Sequence, residues 1–75
     1  MNKSRRKQIQ EALSLIEKAY DLLTDAKDEE EEAFDNLPES LQESERGMTM
    51  QDNVDNLDTA VTSLEEAKDA LENIE

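Results

Sequence analysis

Seventy-five residues with one Gly, one Pro, one Tyr, one Phe and no Trp cannot furnish a turn-rich β architecture or an aromatic core. The absence of Cys and His removes disulfides, thiol chemistry, imidazole catalysis and the usual zinc sites, so neither a cofactor nor a metal is expected. A formal charge of −13, with 39% charged against 35% hydrophobic residues, approaches the composition of disordered chains, in which self-repulsion outweighs burial. The order of the apolar residues argues the other way.

The opening Met1–Lys7 stretch is basic, like the start of a secretory signal. It runs into an interleaved series containing Gln8, Gln10, Glu11, Glu17 and Lys18, so neither an apolar signal core nor a membrane span follows, and a cytoplasmic protein is expected. With Ser4 as its cap, a first helix is predicted over about 4–35, a stretch free of Gly and Pro. Alanine recurs every seventh residue at Ala12, Ala19, Ala26 and Ala33. Ile9, Ile16, Leu23 and Leu37 form a second heptad row, interrupted by Glu30. Small and large side chains alternating on one side of a helix let a partner helix come close while the large ones interlock. Leu13, Tyr20 and Phe34, with Leu15 and Leu22, are expected to widen that seam into a broader face. The acidic run Asp28–Glu32 repels itself, and continuity with its neighbours is expected to keep it helical.

Asn36-Leu-Pro-Glu39 reads as a break and restart, with Asn36 and Glu39 at capping-box spacing and Pro38 suited to a first turn. A connection over about 36–48 is predicted to contain a short helical turn, with Leu41 folded over the hairpin end and Arg46-Gly47 as its stop. The last helix is predicted over about 49–74, capped by Thr49. It carries Met50, Leu57, Leu64 and Leu71 on one row, Ala60, Ala67 and Ile74 on another, and Val54 and Val61 beside them. Two matching seams joined by a short connection predict one all-α domain, an antiparallel helical hairpin. So small a core is expected to be completed as a bundle, by a homodimer or by another protein. Antiparallel pairing would also set Lys3, Arg5, Arg6 and Lys7 beside Glu65, Glu66, Asp69, Glu72 and Glu75.

Catalysis is not expected. The carboxylates have no sheltered cleft to raise a pKa, and neither a nucleophile motif nor a phosphate loop is present. Direct nucleic-acid binding is not expected either, because four of the 8 basic residues lie in the first seven and no aromatic residue is interleaved with them. Two surfaces remain as candidates. Glu17, Asp21, Asp25, Asp28, Glu32 and Asp35 form an acidic stripe opposite the seam, with carboxylates roughly 5 Å apart along the axis, near the spacing of phosphates. Phe34, Leu37, Leu41, Met48 and Met50 form a candidate apolar contact at the turn end. The first suggests inhibition of a host DNA- or RNA-binding protein by charge mimicry; the second, a non-catalytic protein-binding module.

The stretch Ala33-Phe-Asp-Asn-Leu-Pro-Glu-Ser-Leu-Gln-Glu-Ser-Glu-Arg-Gly47 resembles the middle of short, acidic, uncharacterised helical proteins of bacteriophages and bacterial mobile elements. In that group a similar segment joins two Ala/Leu/Glu heptad helices. The resemblance implies an accessory protein of such an element and supplies no activity, substrate or site residues.

Overall fold

A computed structural model describes residues 1–75; it is all-helical, without strands. Helix α1 spans Lys3–Asp35, α2 spans Glu39–Gln42 and α3 spans Glu45–Glu72. The long helices α1 and α3 pack side by side, and the chain forms a rod of 58 × 14 × 13 Å. Their direction follows from two ion pairs. Lys27 reaches Asp58 at 2.9 Å and Glu17 reaches Lys68 at 3.5 Å, so position rises along α3 as it falls along α1.

The helices start and stop where local side chains satisfy free backbone groups. At the head of α1 the Asn2 side chain accepts from the Arg5 amide at 2.8 Å, so Asn2 rather than Ser4 is the cap. Asn36 ends α1 through its backbone N–H and does not cap α2, which follows Pro38 without a side-chain cap. Helix α3 begins at Glu45, ahead of the predicted Thr49, because Ser44 accepts from the Gly47 amide at 3.4 Å. Thr49 instead bonds back to the Glu45 carbonyl at 3.0 Å.

Gly47 therefore does not stop a helix. No residue has a positive φ, and Gly47 lies buried in the first turn of α3. It is small for a steric reason: a Cβ there would overlap the Gln42 carbonyl, coming within 2.6 Å of its carbon and 2.7 Å of the Leu41 oxygen. The missing side chain lets α2 lie directly on α3. Gln42 ties the same corner to α1, its side-chain amide donating to the carbonyls of Phe34 and Leu37 at 3.2 Å each.

Along the seam Ile9, Leu13, Ile16, Tyr20, Leu23 and Phe34 meet α3 half-buried, as do Met50, Val54, Leu57, Leu64 and Leu71 from the other side. Val61 is the one buried apolar side chain, at 8% exposure, and no side chain is fully enclosed. Leu15 and Leu22 do not join the seam; they stand 63% and 62% exposed. Of the alanine row, Ala12, Ala19 and Ala26 are half-buried at the edge of the seam, and Ala33 is exposed. These residues sit one position before the seam residues Leu13, Tyr20 and Phe34, about 100° round the helix, and a single partner helix cannot cover that arc.

The rod is thus poorly buried for its length. Its radius of gyration is 17.1 Å, against about 11 Å for a compact chain of this size. Its accessible surface is 5826 Å², about 1,100 Å² above the ~4,700 Å² expected of a compact monomer of its mass.

Candidate functional site

The two flanks of the hairpin differ in chemistry. In an antiparallel pair, residues one position after the seam on both helices share a flank, and residues one position before it share the other. The first flank is acidic. There Ile16, Tyr20 and Leu64 floor a groove rimmed by Glu17, Asp21, Glu65, Asp69 and Glu72, with Lys68 as its single cation. A second groove nearer the turn has Phe34 and Val54 at its base and Glu31, Asp35 and Asp55 at its edges.

The six residues of the acidic stripe, Glu17, Asp21, Asp25, Asp28, Glu32 and Asp35, are all exposed along α1, and Glu17 alone forms an ion pair. Glu17 and Asp21 belong to the first groove and Asp35 to the second, while Asp25, Asp28 and Glu32 face solvent behind them. The carboxylates spread along a line. No three of them converge in a cluster that could hold a metal ion.

The expected pairing of Lys3, Arg5, Arg6 and Lys7 with the acidic end of α3 is not formed. All four basic residues are exposed, and Arg6 turns back to the Met1 carbonyl at 3.4 Å. Cross-helix pairing is instead carried by Lys27 and Lys68, which lie close enough to the seam to reach the other helix. Lys27 also approaches Glu31 at 3.8 Å. Its hydrogen bond to Asp58, reinforced by the charges of Asp58, Glu31 and Asp28 and opposed by partial desolvation, raises its pKa above the ordinary lysine value.

The apolar cluster at the turn end is split. Phe34, Leu37 and Met50 turn inward and are half-buried, closing the hairpin beneath α2. Met48 projects into solvent at 57% exposure, and Leu41, on α2, is partly covered at 41%. Sequence reading attached no function to Gly47, Gln42 and Ser44, which build this corner.

The second flank is nearly uncharged, and it holds the alanines and the Leu15 and Leu22 side chains that the spacing assigns to the seam. Two rows line this flank, running from Ala12 to Ala33 on α1 and from Asn53 to Ala70 on α3. Asn53 marks where they meet, donating across to Glu30 at 3.0 Å. A sequence signal was available: both rows follow alternate steps of three and four residues, parallel to the seam and one position before it.

An elongated all-helical hairpin with one acidic and one uncharged flank is the class of structure this geometry defines. No protein family, no curated protein and no solved structure matches the chain. No helix is long and apolar enough to cross a membrane.

Proposed function

We propose that the chain is a small acidic protein-binding module without catalytic activity, whose fold is completed as a bundle against another protein surface. The burial carries this reading: one buried apolar side chain in 75 residues is a thin core, and a domain of this length needs further contacts to stand well clear of its unfolded state. A role as an accessory protein of a phage or mobile element rests on the resemblance of the Ala33–Gly47 connection. The grooves are open, apolar at the base and rimmed mainly by carboxylates, which suits docking of a side chain or helix better than chemistry on a sheltered substrate.

Charge mimicry of a nucleic acid is the second reading, favoured by five exposed stripe carboxylates that have no cation of their own. A basic protein that grips phosphates would meet a comparable line of negative charge here, and binding would release its counterions.

Capture of bacterial proteins on the purified chain, followed by affinity measurement at low and moderate salt, tests both. Binding through apolar contacts is nearly unchanged by salt, whereas a mimic loses orders of magnitude in affinity. Changing Asp21, Asp25 and Asp28 to Asn and Glu32 to Gln abolishes a mimic's binding and leaves an apolar contact intact. A chain that binds no protein at either salt concentration overturns the module itself.

A further inference from the structure

The uncharged flank has the composition of a packing face. On α1 it carries Ala12, Leu15, Ala19, Leu22 and Ala26, and continues through Glu29 to Ala33. On α3 it carries Asn53, Asn56, Ala60, Ser63, Ala67 and Ala70. One row has a single charge and the other none, in a chain that is 39% charged. A surface left to water in such a chain would share the charge of its neighbours. The two most exposed leucines, Leu15 and Leu22 at 63% and 62%, stand on this flank.

We infer that this flank is the surface on which a second copy of the chain docks, turning two hairpins into an antiparallel four-helix bundle. The inference rests on the reading of the chain as a module completed by another protein, and names that protein and the face it uses.

The area fits. Helix α3 is 28 residues long, which gives a face about 42 Å in length. At a width of roughly 15–20 Å, two such faces remove about 1,200–1,700 Å² from water, the range of a stable dimer interface. Each copy would lose most of the roughly 1,100 Å² by which it exceeds a compact monomer.

The shape fits itself as well. A two-fold axis along the rod sets α1 of one copy against α3 of the other in the register that Lys27–Asp58 and Glu17–Lys68 fix within one hairpin. Leu15 then lies against Ala67 and Ala70 of the second copy, and Leu22 against Ala60 and Ser63. Glu29, the one charge, meets Asn53 and Asn56. Large side chains face small ones and the carboxylate faces amides, twice over. Both acidic flanks remain outward.

Sedimentation equilibrium of the whole chain tests the inference. A dimer is expected, and added salt should tighten it at least several-fold, because the two copies each carry −13. That response is opposite in sign to a mimic's binding of a basic partner. Leu22→Glu, a change at a position already exposed in one hairpin, should give a monomer; the control Leu41→Ser should leave the dimer intact. Should Leu22→Glu lose its helical circular dichroism, the contact is read by mixing Leu22→Cys and Ser63→Cys chains under oxidation, which should cross-link as a heterodimer.

A chain that stays monomeric at high salt overturns the inference. So does a dimer unaffected by a folded Leu22→Glu, or one lacking the Leu22–Ser63 cross-link. Each of these leaves the protein-binding module standing if a different protein is still captured.

Discussion

Gly47 provides the sharpest test of how the corner is built. In an exposed helix interior, Gly→Ala gains about 1 kcal/mol from backbone entropy. At Gly47 the added Cβ would come within 2.6 Å of the Gln42 carbonyl carbon and 2.7 Å of the Leu41 oxygen. Ordinary contact is about 3.5 Å, so α2 would have to retreat by roughly 1 Å. Both obstructing groups belong to the backbone and cannot rotate away. Overpacking of this kind costs about 1–3 kcal/mol. Moving α2 also disturbs Ser44, which caps α3 while its hydroxyl donates to the Leu41 carbonyl; loss of such a cap costs up to about 2 kcal/mol. Set against the propensity gain, Gly47→Ala should destabilise by about 1–3 kcal/mol, a large share of the roughly 4–11 kcal/mol available to a chain of this length. Urea titration followed by far-ultraviolet circular dichroism measures it, with Thr62→Gly against Thr62→Ala calibrating propensity at an exposed site of the same helix. A Gly47→Ala chain more stable than the parent would refute the steric account of this corner.

Three further outcomes follow from the seam and the charge. Thr24 has a buried hydroxyl with no hydrogen-bond partner, so Thr24→Val should raise stability by about 1 kcal/mol in the same titration; a loss would mean that the hydroxyl is satisfied. Lys27 has a raised folded pKa, so its stabilisation is complete below the unfolded lysine value and is lost as pH rises through the folded one. A Lys27→Met chain should therefore lack the part of the stability loss above about pH 10 that this lysine gives the parent, and identical alkaline profiles would count against the Asp58 bond. With a net charge of −13, thermal stability should rise with sodium chloride as self-repulsion is screened. A decrease would mean that the Lys27 and Lys68 pairs dominate the electrostatics.

Heptad spacing made the long helices and their shared seam legible, because a period near 3.5 is written directly in Ile9, Ile16 and Leu23 and in Leu57, Leu64 and Leu71. Helix ends were harder. Ser4 and Asn2 are both good caps two residues apart, and Ser44 and Thr49 are both good caps five residues apart. Which one caps is decided by where the chain enters, and no local propensity encodes that. Gly47 misled for a related reason: a glycine that ends a helix and one that admits a neighbouring backbone look alike until the neighbour is in place.

The exposure of the acidic stripe could be read because it depends on one helix alone. The place of Glu17, Asp21 and Asp35 beside the seam, rather than opposite it, depends on where α3 lies. The basic cluster could not be matched to its partners by counting along the rod, since exposed pairs gain too little to order long side chains. Leu15 and Leu22 follow the helical spacing that would widen the seam, yet both stand exposed. That their flank continues across Ala60, Ser63 and Ala67 emerges only when the two helices are set antiparallel.

The central claim is that this hairpin is half of a helical bundle, and the concentration dependence of its thermal unfolding tests that most directly. If two copies complete each other, a hundredfold increase in chain concentration should stabilise the folded state by about 2.7 kcal/mol and raise Tm by about 5–10 °C. A sharp, high Tm that stays constant over the same range would show that the lone hairpin is sufficient, and would contradict the account.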